Sequence, residues 1–370
     1  MPPPPLLDEL VEEVLLRVPP DDPARLLRAA LVCKRWCRII SDPGFRRRFR
    51  EFHRTPPMLG FFSDLRSSTF ISTTSFRPPR GYRRNYPPID ARHGRVLLHS
   101  VPWHFVKNPL DHAFLVWDPI TGELRKLPLL PWSFYPYSWN AAVLCASLGA
   151  CDHLDCRRGP FLVVLVGTDQ WGMFSFVYSS EAAAWSEWAS AQHPGDDFVL
   201  RPSLLLGNAL YFVLRYSRSI VKYDLGAREM SLIGMPAECV LDGNVLMATE
   251  GGGLGIASLV NHLHRLCLWS REAASDKDAG WVQSRAIDLK TLLPNEALSM
   301  YLNVAGFAYG VGVIFLKTDV GIFTIDLRSC QVKKVFKDGW CNYNLPYMSF
   351  YTPALRVAST EGPRTGTSMA

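Results

Sequence analysis

The sequence contains no long apolar run and no recognisable secretion signal. No stretch reaches the roughly 18 consecutive apolar residues of a membrane-spanning helix, and the N-terminus lacks a basic segment followed by an uninterrupted apolar one. The nine cysteines mostly stand alone among apolar neighbours, which is typical of free thiols rather than of a disulfide framework. We therefore expect a protein of a reduced compartment, the cytoplasm and/or the nucleus, with no membrane partner.

Charged side chains are also scarce. They make up 20% of the 370 residues, whereas 48% of the residues are hydrophobic, so the chain should fold into one large domain or a large domain with a small one attached. The net charge of +6 comes from residues 1–54 and 77–95, and the remainder is about neutral. Because this distribution gives no continuous basic face, a nucleic-acid partner is not expected.

Motifs of catalysis and cofactor binding are missing as well. The sequence has no Gly-x-Ser-x-Gly elbow, no P-loop and no His-Glu-x-x-His, and the glycine-rich residues 251–255 do not have dinucleotide-binding spacing. Cys151, His153 and Cys156 form a metal-like cluster, but they offer three ligands at unusual spacing, whereas a structural zinc site needs four. We therefore predict no catalytic residue, no cofactor and no metal, and we interpret these three side chains as loop residues.

Helical patterning is concentrated at the N-terminus and predicts three helices. In the first, over residues 7–18, apolar positions recur on one helical stripe before a proline pair ends the helix. The second begins at Asp22, which can cap it ahead of Pro23, and it bends or breaks before residues 41–44. The third is short and ends before the proline pair at 56–57.

The order of specific residues in these helices resembles a known family. Leu-Asp-Glu-Leu-Val-Glu-Glu-Val-Leu-Leu-Arg-Val-Pro-Pro, followed by Val-Cys-Lys-Arg-Trp-Cys-Arg-Ile-Ile-Ser-Asp-Pro-Gly-Phe, resembles the F-box over residues 6–49. One departure is Leu7, which stands where the family usually has proline. The resemblance implies that the module binds a Skp-type adaptor and, through it, a cullin–RING ubiquitin ligase.

A module of fewer than about 60 residues buries too little apolar surface alone, so a partner helix should cover part of it. The resemblance implies that nine side chains either hold the module together or face the adaptor, and the sequence does not divide them between these roles. They are Leu10, Val11, Val14, Leu15, Leu31, Val32, Cys33, Trp36 and Ile40. Because buried aromatic residues dominate such interfaces, we predict that Trp36 is the main anchor. We also expect Trp36→Ala together with Leu15→Ala to abolish co-purification with the adaptor.

Beyond residue 57, strand-like runs alternate with turn signals and form an internal repeat. A strand–turn–strand pattern recurs around Asp118, Asp224 and Asp326, which are 106 and 102 residues apart, with weaker copies between them. Such spacing predicts a large all-β domain, a kelch-like β-propeller of about six blades, with a sandwich or an incomplete propeller as the alternatives. Each aspartate should bond backbone amides of its turn and so be structural rather than catalytic.

This second half also resembles a known group. The residues at 57–62, 90–98 and 346–353 are similar to F-box-associated β domains of plant F-box proteins, especially those of the large grass families. We therefore expect an F-box domain over residues 1–56, a β-propeller-like domain over residues 57–358 and a disordered tail over residues 359–370.

Two segments of the β domain are candidates for binding a target protein. One is an aromatic segment that either contacts the target or packs between blades, with Trp132, Phe134, Tyr135, Tyr137 and Trp139. The other is a basic segment interleaved with tyrosines, either a contact or an ordinary surface loop, with Arg80, Arg83 and Arg84.

Together these features predict a non-catalytic, substrate-recognition subunit of an SCF-type cullin–RING ubiquitin ligase. The F-box would dock on the Skp-type adaptor and the β domain would bind the target. Two alternatives stay open: an F-box protein with a non-degradative or lost role, and a propeller that binds a glycan.

Overall fold

The computed structural model describes residues 7–63, 69–79, 86–99, 113–130, 138–147, 151–191, 196–239, 243–272, 280–339, 341 and 343–351. The N-terminal part is helical and the rest is built of β-strands. The helices are α1 (Asp8–Leu16), α2 (Pro23–Val32), α3 (Lys34–Ser41) and α4 (Pro43–His53). None of the helices in these described ranges is long and apolar enough to cross a membrane.

The structure has four helices where the sequence indicated three with a bend or break in the second, because that helix divides at Cys33. The backbone of Cys33 is extended (φ −159°, ψ 162°), and its sulfur accepts a hydrogen bond from the amide of Trp36 at 3.5 Å, which caps α3. Asp42 caps α4 in the same way by accepting from the amide of Phe45 at 2.9 Å. The break that the sequence indicated is therefore a helix boundary rather than a bend.

The four helices enclose a small apolar core of their own. Its fully buried members come from every helix and include Val11, Leu15, Leu26, Ile40, Phe45 and Phe49. Burying side chains of this size contributes about 1.5–3 kcal/mol each relative to leaving them exposed.

The β domain comprises six antiparallel sheets, as the repeat predicted. In chain order its strands are β1 (Met58–Ser63), β2 (Thr69–Ser72), β3 (Pro88–Arg92), β4 (Arg95–His99), β5 (Phe114–Trp117), β6 (Leu124–Lys126), β7 (Ser138–Cys145), β8 (Phe161–Asp169), β9 (Gly172–Ser179), β10 (Ala184–Trp185), β11 (Ala189–Ala191), β12 (Leu204–Leu206), β13 (Ala209–Val213), β14 (Ser219–Asp224), β15 (Met230–Gly234), β16 (Val245–Ala248), β17 (Leu254–Val260), β18 (Arg265–Arg271), β19 (Trp281–Asp288), β20 (Asn303–Ala308), β21 (Val313–Thr318), β22 (Gly321–Asp326), β23 (Val332–Phe336) and β24 (Asn344–Met348).

The sheets are the six blades of a propeller, which confirms the predicted architecture. Five blades follow one another along the chain as β3–β6, β7–β11, β12–β15, β16–β19 and β20–β23. The sixth has the order β2-β1-β24, so a strand from the end of the chain pairs with the first strand of the domain. Strands β24, β3, β7, β12, β16 and β20 form the inner ring, and apolar side chains fill the spaces between adjacent blades.

The three repeat aspartates have the turn role that the sequence predicted. The carboxylate of Asp326 accepts hydrogen bonds from the amides of Arg328 and Ser329 at 2.9 and 2.7 Å, and Asp118 and Asp224 make the equivalent pairs of bonds. In Asp224 and Asp326 these bonds to the ionised form lower the pKa of the carboxyl group below its usual value. The side chain of each aspartate thus closes the turn between the third and fourth strands of its blade.

The F-box module rests on one face of the propeller. Phe350, just after β24, is buried in the core of the helices, and its ring meets that of Phe49 edge-on at 6.4 Å. The Arg50 guanidinium donates to the carboxylate of Asp155 at 2.6 Å. Burial lowers the pKa of Arg50, and the charge of Asp155 opposes that shift. These contacts hold the helices at the end of the propeller where β24 finishes.

Candidate adaptor-binding and target-binding surfaces

The structure divides the nine side chains predicted to contact the adaptor. Five of them are exposed to solvent, although four of these are fully apolar: Leu10, Val14, Leu31, Val32 and Cys33. Leu31 is the most exposed of the four apolar side chains, at 73% of its surface. Large apolar side chains grouped this way on a small module mark an interaction surface. We call these five residues together with Leu7, which is also exposed, the adaptor face.

Of the two roles left open by the sequence, Val11, Leu15 and Ile40 have the first and hold the module together, because all three are buried in the core of the helices. The apolar stripe of α1 is wide enough to serve two purposes. Its Val11 and Leu15 side points into the module, whereas the side with Leu10 and Val14 points into solvent. The periodicity of a helix identifies its apolar side but not which part of that side a neighbouring helix covers.

An ion pair brings the two parts of the adaptor face together. The guanidinium of Arg35 in α3 binds the carboxylate of Asp8 in the first turn of α1. This contact places α1 beside the junction of α2 and α3, where Leu31 and Val32 emerge. Trp36 is half-buried and packs against the module core, so it helps to stabilise the helices.

The face of the propeller opposite the F-box carries a second set of exposed apolar side chains. Adjacent strands run in opposite directions. Because β3 and β7 both end on the F-box side, at Arg92 and Cys145, the turn between β8 and β9 lies on the far side. Several exposed large apolar side chains lie in the far-side turns and loops, and we call four of them the target face: Trp171, Tyr216, Met300 and Tyr301.

Of the residues predicted to bind a target, only Trp139 lies within the described part of the chain. Its side chain is buried at 7% exposure, and its ring packs against those of His99 and Phe114. For Trp139, packing inside the propeller is therefore the correct alternative, and target contact was wrong. The other residues predicted for this role lie outside the described residues: Trp132, Phe134, Tyr135, Tyr137, Arg80, Arg83 and Arg84.

Sequence reasoning missed the target-face residues because they lie in connections rather than in patterned strands: Trp171 and Tyr216 in tight turns, Met300 and Tyr301 in the longer connection between β19 and β20. The carboxylate of Asp169 accepts hydrogen bonds from the amides of Trp171 and Gly172, so the turn is rigid and Trp171 projects outward at 72% exposure. An aromatic residue in a two-residue hairpin connection was the available signal, because such a position has no strand to pack against.

A cavity of about 470 Å³ lies along the inner strands, between α4 and the propeller. Three of its polar residues bind one another. Asp90 accepts from Arg92 at 2.5 Å and from the amide of Val143 at 2.9 Å, and the same guanidinium reaches the carbonyl of Ser203. Burial raises the pKa of Asp90, while the charge of Arg92 opposes that shift. These bonds link β3 to its neighbour β7 and to the residue before β12, and so give Asp90 and Arg92 a structural role.

Comparison with protein families accounts for most of the chain. The model described as the F-box domain matches residues 6–48, which are the helices that carry the adaptor face. A second model, described as F-box protein AT5G49610-like, beta-propeller, matches residues 89–355, which is more than half of the chain. A search of curated proteins gives no match.

Among solved structures the chain is similar to several at low identity. One is the WD40 domain of SCAP from fission yeast, at 15% identity and a TM-score of 0.37, covering 67% of this chain and 54% of that one. Another is a functionally unknown protein from Desulfotomaculum acetoxidans, at 10% identity and a TM-score of 0.40, covering 76% and 82%. The chain thus spans about half the length of the first of these structures.

The family matches agree with the geometry of both parts of the molecule. A four-helix module with an exposed apolar face precedes a six-bladed propeller whose first and last strands share one blade. The chain belongs to the family of F-box proteins with an AT5G49610-like β-propeller.

Proposed function

We propose that this protein is the substrate-recognition subunit of an SCF-type cullin–RING ubiquitin ligase. The F-box would bind a Skp-type adaptor through the adaptor face, and the propeller would bind the target protein. The observation that carries this proposal is the exposure of Leu10, Val14, Leu31 and Val32 on a module whose other large apolar side chains are mostly buried. A partner helix that covered these side chains would complete the apolar packing of the module.

The attachment of the F-box to the propeller suits a subunit that positions a target. Besides Phe350 and the ion pair between Arg50 and Asp155, the hydroxyl of Ser75 accepts from the amide of Ala24 at 3.1 Å. Contacts at several separated points hold the two parts in one orientation. A target bound on the far side of the propeller would then be presented to the ubiquitin carrier at a fixed place, so the effective concentration of its lysines would rise without any catalytic residue in this chain.

The target face is our candidate for the surface that binds the substrate. It lies on the side of the propeller away from the F-box, so adaptor and target could be bound at the same time. Aromatic residues such as Trp171 and Tyr216 supply large contact areas and are enriched among residues that dominate binding energy. The grass-type origin, the kelch-like type of the propeller and a location in the cytoplasm and/or nucleus stay predictions from the sequence.

Affinity capture with the ligase inhibited tests both halves of the proposal. The wild type should capture a Skp-type adaptor, a cullin and target proteins together. Leu10→Asp with Val14→Asp should lose the adaptor and the cullin but keep the targets, because the charges fall on the adaptor face and not in the core. Trp171→Ala with Tyr216→Ala should keep the adaptor and lose targets.

The same capture can contradict the proposal. Full adaptor recovery with the Leu10 and Val14 variant would show that this face is not the docking surface. Unchanged target capture by the Trp171 and Tyr216 variant would remove the target face from the account and leave the adaptor role intact. As the control for folding, each variant should have the same melting temperature as the wild type.

A further inference from the structure

The structure brings a fourth ligand to the cluster that the sequence had shown as three loop residues. The additional side chain is Cys145, the last residue of β7, which lies beside the loop that leads to β8. The four side chains form what we call the Cys₃His cluster: Cys145, Cys151, His153 and Cys156. Sequence reasoning rejected a metal here because it counted only three ligands, and the missing one comes from a strand rather than from the loop itself.

The dimensions of the Cys₃His cluster fit one tetrahedral ion. Its three sulfur atoms and the imidazole nitrogen all lie within 4.8 Å of one another, and Sγ of Cys156 is 3.6 Å from Nδ1 of His153. Ligands about 2.0–2.3 Å from a tetrahedral Zn²⁺ are separated from each other by roughly 3.5–3.8 Å. The longest pair would therefore need to close by about 1 Å to enclose the ion.

The surroundings of the cluster also favour a metal. Cys145 is buried and the other three ligands are half-buried, as expected of a closed structural site. All three cysteines are free thiols in the structure. Three thiolates around Zn²⁺ would leave one net negative charge. The buried Arg95 guanidinium lies where it can balance that charge, because its Nη2 donates to the carbonyl of Cys156 at 2.6 Å.

A second feature of Arg95 also favours a metal in the Cys₃His cluster. Its Nη1 is buried and has no hydrogen-bond partner among the described residues. A buried, charged donor without a partner is costly to a folded protein. Its Nη2 contacts Cys156 of the cluster, so negatively charged metal ligands beside it would compensate that cost.

We propose that the Cys₃His cluster binds one structural Zn²⁺ ion. Three thiolates and one imidazole form a ligand set that suits zinc, and four protein ligands leave no open position for a reaction. The ion would fasten the loop of residues 151–156 to the end of β7. This inference does not rest on the proposed role in ubiquitination.

The loop of residues 151–156 contacts the F-box, so a bound metal would affect how the F-box and the propeller are joined. Leu154, between two of the ligands, packs against the core of the F-box, and Asp155 holds the ion pair with Arg50. The ring of His93, in the turn between β3 and β4 of the adjacent blade, packs on that of His153 with their centroids 4.1 Å apart. The ion would therefore set the orientation of the F-box on the propeller by fixing the loop on which α4 rests.

The metal content of the purified full chain tests the proposal directly. We expect about one zinc per chain in protein prepared without a metal-binding tag or chelator. Cys151→Ala with Cys156→Ala should lose the zinc. The matched control, Cys267→Ala with Cys330→Ala, removes two cysteines outside the cluster and should keep it. Wild-type protein with less than about a tenth of an equivalent of zinc would overturn the proposal.

Two further measurements keep the test decisive if the cluster variant fails to fold. Replacing zinc by Co²⁺ in the wild type should give the strong visible absorption of a tetrahedral site with thiolate ligands, and a weak octahedral spectrum would overturn the proposal. Mass analysis after alkylation should find all three cluster cysteines reduced. A disulfide between any two of them in freshly prepared protein would contradict the zinc site.

Amide hydrogen exchange tests the predicted effect of the zinc ion on the F-box. Removing the zinc should increase amide hydrogen exchange in α4 by several-fold, because the loop that supports Arg50 would loosen. Exchange in β17 and β18, on a distant blade, should stay unchanged and serves as the internal control. Equal exchange in α4 with and without zinc would overturn the link between the ion and the F-box.

Discussion

Val11 and Val14 lie three positions apart in α1 and have opposite roles. Val11 is almost fully buried in the module, whereas Val14 is 61% exposed. Composition and periodicity treat them alike, since both fall on one apolar stripe. The difference arises from tertiary packing, because α3 and α4 cover only one side of that stripe. At the scale of the residue, the sequence therefore predicted which side chains matter but not which of the two roles each performs.

Two substitutions of identical chemistry should separate these roles. Leu15→Ala removes a buried side chain and should lower the free energy of unfolding of the helices by about 2–5 kcal/mol. Leu31→Ala, at an exposed site, should change it by less than about 0.5 kcal/mol. Urea unfolding followed by helical circular dichroism measures both. Equal losses would contradict the division of the module into a core and an adaptor face.

This contrast also revises the test suggested by the sequence. A variant that combines Leu15→Ala with Trp36→Ala would lose adaptor binding by unfolding the helices, since Leu15 is in their core and Trp36 packs against it. Substitutions on the adaptor face are more informative because they leave that core intact.

The propeller should lose stability in acid, because protonation of the turn aspartates removes the stabilisation that their ionised carboxylates provide. Backbone amide donors lower the pKa of Asp224 and Asp326 in the folded state. Their stabilisation is therefore fully present above the unfolded pKa of about 4 and is lost as the pH falls through the lower folded pKa. Asp224→Asn with Asp326→Asn keeps an oxygen acceptor but cannot ionise.

Thermal melting at about pH 5 and about pH 3 checks this prediction. The double Asn variant should melt lower than the wild type at the higher pH and should lose less on acidification. Asp319→Asn, at an exposed turn position, is the matched control and should follow the wild type. An acid loss as large in the double variant as in the wild type would contradict the role given to these carboxylates.

Among the elements, the strands near the repeat aspartates were predicted best. The patterns around Asp118, Asp224 and Asp326 each gave two strands and a turn, and all three hairpins are present. Local alternation and turn residues suffice for such pairs because the partners are close in sequence. The pairing of β1 with β24 could not be predicted in this way, since Phe62 meets Leu345 across nearly the whole domain.

Because β24 closes the ring, the stability of the propeller should depend strongly on whether the chain includes this last strand. Ending the chain after Lys337 removes β24 and the Phe350 anchor, which exposes the edge of β1 and the apolar neighbours of Leu345. We expect this truncation to aggregate or to be digested rapidly by protease. Ending the chain after Tyr351 keeps every described strand and should melt within a few degrees of the full chain. Equal protease resistance of the two forms would contradict closure through β24.

At the scale of the whole molecule, the two exposed apolar surfaces lie on opposite sides. The F-box covers the propeller face where β24 ends, and the target face lies on the other. The sequence predicted the two domains and their order because each has its own periodicity. It could not predict their mutual orientation, because that depends on single contacts such as Phe350 with Phe49. The fourth ligand of the Cys₃His cluster was missed for the same reason.

Adaptor binding by the purified full chain is the most direct test of the proposed function. Calorimetric titration with a purified Skp-type adaptor should give a saturable complex, and Leu31→Asp with Val32→Asp should weaken it by more than about 100-fold. Leu124→Asp with Leu129→Asp alters two exposed leucines of the propeller and should bind as the wild type does. No complex with the wild type, or equal affinity for the variant in the adaptor face, would contradict the account.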